Sequence, residues 1–237
     1  MKGMLKAELF KFTHSYSLWI IIGVLVIFCG ISTITGTYSS AENALINISK
    51  DSMVLILASA VYGSIILTED FSNGLLRHFV SNGYKRTHIV LAKVVHYIVG
   101  CSILLLAYQV ISVSFAALIQ GVETSFLTVI RTTIFTSLQL LPLYLGVLGL
   151  FFLLAVLIKK GVIVVGVSVA TSILLVVFTN KLYSDTSSIL KYSPIIQISE
   201  VANGTVTRFY FISILLSMIV LVVCVLGSVI KFNHDEL

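Results

Sequence analysis

The chain has 237 residues, of which 58% are hydrophobic and 11% charged, with 2 prolines, 3 cysteines and a formal net charge of +5. Soluble domains carry about 45–50% apolar and about 25% charged residues, and a globule of this length has a large exterior that so few charges would not cover. A soluble fold, a disordered chain, a coiled coil, a disulfide scaffold and a proline-rich linker are all excluded, and an integral membrane protein is what remains.

The amino end, residues 1–14, carries Met4, Leu5, Leu9 and Phe12 at near-helical spacing, with Lys2, Lys6 and Lys11 off that stripe. Apolar and basic positions that separate by face predict an interfacial amphipathic helix, with Leu5, Leu9 and Phe12 in the cytoplasmic leaflet. The plainer reading is a solvated basic leader. No A-x-A site follows the first apolar run, and Glu8 interrupts the basic region, so the run reads as a retained helix rather than a cleaved signal peptide.

A membrane crossing takes about 20 mostly apolar residues. Six runs qualify, at residues 17–35, 53–68, 94–119, 132–158, 161–179 and 210–230. They do not alternate apolar with polar as barrel strands would, so the expected fold is an all-α integral membrane domain of six transmembrane helices covering residues 1–237. The second run is the weakest, bounded by Lys50-Asp51 and Glu69-Asp70, and should depend on its neighbours.

Residues 69–93, between the second and third spans, are long, charged and patterned. Leu75, Leu76, Phe79 and Val80 fall at i, i+1, i+4 and i+5, with Ser72 or Asn73 able to cap the start of a short helix and Gly83 its end. Its apolar face must meet either the lipid surface or another protein, and a helix laid in a groove is a recurring recognition mode.

Further on, Lys159-Lys160 forms a tight turn that makes the fourth and fifth spans an antiparallel hairpin. Gln109, Gln139, Thr132, Thr133, Thr136 and Ser137 are polar within spans and read as helix-packing groups or pathway linings. Residues 180–209 hold Tyr192-Ser193-Pro194 and then Ile195, Ile196, Ile198 and Val201, too short and polar to span, and by themselves read as an ordinary loop with a few buried anchors.

With six crossings both termini share a side. That side collects ten of the 15 Lys and Arg residues and the other five, so the positive-inside rule makes both termini cytoplasmic. The cations lie between apolar runs, which gives no ground for a nucleic-acid partner. Cys29, Cys101 and Cys224 lie inside runs without a CxxC pair, and His14, His78, His88 and His96 form no H-x-x-x-H, so no metal site is expected. No G-x-x-x-x-G-K-[ST], H-E-x-x-H or G-x-S-x-G occurs, so no catalytic residues and no bound cofactor are expected in this chain.

Residues 69–93 resemble the permease subunits of type-two ABC exporters, in which a Glu ending the second helix precedes a Gly-Thr-Leu-like turn, a coupling helix, a basic residue and a Lys opening the third helix. The matching positions here are Glu69, Gly74-Leu75, residues 75–81, Arg86 and Lys93. Leu75 stands where Thr is common, and Asn82-Gly83 replaces a turn that often contains proline. Leu5-Lys6-Ala7-Glu8-Leu9-Phe10-Lys11-Phe12 is similar to the amino-terminal connecting helix of that family. The resemblance implies a plasma-membrane, multi-pass permease that binds a separate ABC ATPase through Glu69, Gly74, Leu75, Leu76, Phe79, Val80 and Arg86. ATP would enter only through that ATPase, and residues 180–209 would form small extracellular helices that dip back into the outer leaflet rather than an ordinary loop. It also implies a second permease subunit, in a homo- or heterodimer, and outward movement of a hydrophobic or amphipathic solute such as an antimicrobial peptide, as in small lantibiotic-immunity or peptide-export permeases. The alternative is a membrane scaffold or assembly protein that does not transport.

Overall fold

The computed structural model describes residues 8, 10–11, 16–35, 52–72, 79–120, 126–184, 192–202 and 208–234. Seven helices follow one another among them: α1 (Tyr16–Thr35), α2 (Ser52–Ser72), α3 (Arg86–Gln120), α4 (Phe126–Ile158), α5 (Gly161–Ser184), α6 (Pro194–Ala202) and α7 (Tyr210–His234). No strand occurs among the described residues. Four helical stretches are long and apolar enough to cross a membrane, namely Tyr16–Thr35, Arg86–Ile119, Thr133–Ile158 and Tyr210–His234, while Val54–Thr68 and Gly161–Leu175 are apolar but shorter.

Five helices outrun the apolar stretches that announce them. The third begins at Arg86 rather than residue 94, the fourth at Phe126 rather than 132, and the second continues past residue 68 through Glu69 and Asp70 to Ser72. The fifth and last run on to Ser184 and His234. Charged residues end an apolar run but not a helix, since Arg, Lys and Glu are good helix formers. Lys93, expected to open the third helix, therefore sits two turns inside it, and the helix instead starts on the Lys85 carbonyl, which accepts from the amides of His88 at 3.0 Å and Ile89 at 3.3 Å.

The outside of the bundle is apolar, and its apolar core is interrupted by buried polar side chains. Trp19, Ile20, Val24, Ile27, Ile31 and Ile34 of α1 are exposed, as are Phe211, Leu215, Ile219, Val223 and Ile230 of α7. Inward, α7 turns Ser213, Ser217, Cys224 and Ser228 to its neighbours, all buried. Small residues let helix backbones approach closely when lipid-like surroundings supply no hydrophobic drive. A Cβ added to Gly146 of α4 would stand 2.8 Å from the Ser217 Cα, and one on Gly149 would stand 3.0 Å from the Leu221 Cα. This α4–α7 contact is the most extensive in the bundle.

α2 is held from three sides. Tyr144 of α4 donates its hydroxyl to the Leu55 carbonyl at 2.6 Å and also meets the Ser59 hydroxyl, and Tyr97 of α3 donates to the Ser59 carbonyl at 3.2 Å. Tyr97 lies over Gly63, and Tyr62 lies over Gly100, so α2 and α3 exchange a ring for a glycine in both directions, with the two rings 6.5 Å apart. Ser64 of α2 reaches Ser168 of α5 at 3.4 Å. α2 thus packs on α3, α4 and α5, the neighbours on which the weak second run is expected to lean.

α4 and α5 form the hairpin read from the sequence. Lys159 takes a left-handed φ of 60° to close it, and the Lys160 amide donates to the Ile158 carbonyl at 2.8 Å. Within residues 180–209, α6 is a helix whose Ile196, Ile198 and Val201 are buried, and Tyr192 and Phe209 meet edge-on at 4.9 Å beside it. Cys29, Cys101 and Cys224 are buried free thiols.

Candidate partner-binding face

The segment between α2 and α3 ends in a capped helical knuckle. Residues 79–81 are helical, and Gly83 stops the helix with a φ of 82°. Its amide donates to the Val80 carbonyl at 3.0 Å, and the Tyr84 amide donates to the Phe79 carbonyl at 3.2 Å. These are the two hydrogen bonds of a Schellman cap, and the Phe79 and Tyr84 rings, 6.1 Å apart and at 89°, supply the apolar contact that accompanies it. Gly83 is the cap expected from the sequence; a side chain there would be strained at that φ.

The knuckle directs its residues two ways. Phe79 and Val80 are half-buried and pack against the bundle's own core, so these two members of the apolar stripe face inward. Ser81, Asn82, Gly83, Tyr84 and Lys85 are exposed. Gly74, Leu75 and Leu76 lie outside the described residues, as do Leu5, Leu9 and Phe12 of the proposed interfacial helix, while Glu69 falls in the last turn of α2.

Arg86, one residue past the knuckle, points along the bundle end. Its guanidinium donates to the carbonyls of Phe232 at 3.3 Å and Asn233 at 3.1 Å, in the last turn of α7. Those carbonyls belong to the group a helix leaves without intrahelical partners, and a cation there also complements the helix dipole. The start of α3 is thereby tied to the end of α7. On the α2 side, a Cβ on Gly161 would stand 2.9 Å from the Thr68 Oγ1, so the hairpin turn and the end of α2 meet at close quarters.

Glu8 is the residue that the sequence reading left without a role. It is 4% exposed, and its carboxylate accepts from the His96 Nδ1–H at 2.9 Å and lies 3.5 Å from the Lys93 Nζ, both on α3 and both buried. Burial alone would raise the carboxyl, but the His96 hydrogen bond and the charges of Lys93, His96 and Lys11 more than offset it, holding its pKa at about 2. Glu8 is therefore pinned to α3 by a buried ion pair. The signal available beforehand was a lone acid in a basic leader and a Lys-x-x-His pair one turn apart, which names no partner until the two segments are brought together.

Gln109, Thr136 and Ser137 form a second polar cluster, between α3 and α4. Ser137 and, at 3.4 Å, Thr136 donate their hydroxyls to the Gln109 Oε1, while the Gln109 Nε2 has no partner among the described residues. Gln109 lines a water-sized cavity of about 20 Å³ with Leu55, Leu105, Tyr144 and Ile198, and its bonds to Thr136 and Ser137 tie α3 to α4.

No family model matches the chain, and no curated protein matches it.

Proposed function

We propose that the chain is the permease subunit of an ATP-driven exporter of the type-two ABC class, set in the plasma membrane with six crossings and with both termini and the α2–α3 segment in the cytoplasm. The four long apolar helices supply four crossings, and α2 and α5 supply two more, each sheltered by the other and by α4. The ten-to-five distribution of basic residues supports the orientation.

The observation that carries the reading is the knuckle. Its exposed tip, residues 81–85, is stiffened by the Gly83 cap and the Phe79–Tyr84 contact, and it stands between two helices anchored in the core. A partner ATPase that gripped Tyr84 and Lys85 would move α3, into which the capped tip runs directly, because a stiff element transmits displacement where a slack loop absorbs it. Arg86 extends the connection to α7, and Glu8 extends it to the N-terminal segment. A second permease subunit, and a hydrophobic or amphipathic solute such as an antimicrobial peptide, complete the proposal.

The test is purification of the tagged chain from its native membrane in mild detergent, followed by labelling with a photoreactive ATP analogue. A labelled ATPase subunit is expected with the wild-type chain and at least tenfold less of it with Tyr84→Asp/Lys85→Glu, at equal membrane insertion. Absence of a labelled subunit, or equal recovery with both chains, would refute the assignment.

A further inference from the structure

α4 and α5 are joined by a tight turn, yet they part beyond it, because α5 packs chiefly on α2 while α4 packs on α7. Between them lies a groove of about 420 Å³ on the outer surface, walled by Leu150, Leu153 and Leu154 of α4 and by Thr171 and Leu174 of α5. That volume is within the ~300–1,000 Å³ typical of small-molecule sites. Its walls offer no polar handle. The Thr171 hydroxyl already donates to the carbonyls of Val167 at 2.8 Å and Ser168 at 3.0 Å, and the other wall residues are leucines and Phe151. A peptide bond or sugar placed there would lose its hydrogen bonds to water and regain none.

Depth says what fits. At about 1.5 Å per residue, Leu154 and Leu150 lie roughly 8 and 14 Å along α4 from the turn, and Thr171 and Leu174 lie roughly 15 and 20 Å along α5. The hydrocarbon of one leaflet is about 15 Å deep. The groove thus spans the acyl-chain layer of one leaflet, and the exposed Lys160 stands at the level of that leaflet's headgroups. We propose that the α4–α5 groove holds an acyl chain of an anionic phospholipid whose phosphate pairs with the Lys160 ammonium. The inference rests on the membrane-spanning reading above, but not on the ATPase or the transported solute.

Trp19, the single tryptophan of the chain, is exposed on α1, and this supplies the control. The reporter is Trp19→Phe/Leu174→Trp, placed on the exposed rim of the groove, with Trp19→Phe/Leu150→Trp as a second reporter should the first misfold. Each protein is reconstituted in phosphatidylcholine vesicles containing brominated phosphatidylglycerol or brominated phosphatidylcholine. Quenching of the groove tryptophan should favour the brominated phosphatidylglycerol about fivefold, the worth of one lysine near an anionic headgroup. Lys160→Ala should abolish that preference, and Trp19 in the wild-type chain should show none. Quenching of Trp19 without lipid preference at either groove position would overturn the groove proposal alone, as would a preference that survives Lys160→Ala. Loss of groove quenching as protein density rises would assign the groove to a second copy of the chain and overturn the lipid. Quenching at none of these positions would overturn the membrane reading together with the proposal.

Discussion

Ser217 of α7 bridges two backbone groups of α4. Its hydroxyl accepts from the Gly146 amide at 3.0 Å and donates to the Pro142 carbonyl at 2.8 Å, which are the donor and acceptor of one i to i−4 pair of that helix. Pro142 sits inside α4, removing a backbone donor and crowding the preceding turn. A side chain from α7 thus bonds the α4 backbone in the turn that follows the proline, next to the pair the proline removes. Ser217→Ala should destabilise the bundle by about 1 kcal/mol, the scale of an interhelical hydrogen bond in a membrane. Gly146→Val should cost more, because its Cβ would meet the α7 backbone itself. Thermal unfolding in detergent, read by size-exclusion fluorescence, ranks the two; equal midpoints for Gly146→Val and wild type would contradict the close approach.

The buried Glu8 predicts a pH effect of definite sign. Its pKa is held at about 2, below the ordinary 4.5, so its stabilisation is fully present above about pH 4.5 and is lost as pH falls toward 2. Limited proteolysis of the N-terminal segment should accelerate through that window in the wild-type chain. In Glu8→Gln, which leaves Lys93 buried without its carboxylate, cleavage should already be fast at neutral pH and flat with acidification. A wild-type profile with no change between pH 5 and 3 would remove the ion pair from the account.

Arg86 predicts a local effect at a distant point in the chain. Arg86→Ala removes the donors to the Phe232 and Asn233 carbonyls, so the last turn of α7 should fray, with amide exchange there rising severalfold while the middle of α7 stays protected. Arg86→Lys should restore part of the protection, since a single ammonium can reach one carbonyl but lacks the planar fork. Hydrogen exchange with mass spectrometry on the C-terminal peptide decides; unchanged exchange in Arg86→Ala would show that the contact carries no weight.

The orientation is open to labelling. In intact cells an impermeant thiol reagent should modify Ser187→Cys and spare Ser81→Cys, in a background where Cys29, Cys101 and Cys224 are buried and silent. The reverse pattern would invert the topology.

The sequence by itself determined what is local or additive. Run length and hydropathy mark the helices that can cross a membrane, and the Lys159-Lys160 turn marks a hairpin, because a crossing depends on summed transfer energy and a turn on a few residues. Gly83 was legible as a cap because only glycine takes its φ at little cost. The apolar stripe containing Phe79 and Val80 was legible as a stripe, but which way it faces was not: an amphipathic face names a need for cover, and the bundle's own core covers these two. Helix ends were misplaced because hydropathy reports where lipid would suit the side chains, whereas the backbone continues as long as its hydrogen bonds do. The remaining choices belonged to the tertiary structure alone. Glu8 with Lys93 and His96, Arg86 with the end of α7, Tyr62 over Gly100 and Ser217 in the ladder of α4 all join residues far apart in the chain. A serine in an apolar run looks the same whether it lines a helix contact or bonds back to its own helix, so only the order in which the helices pack could separate the two.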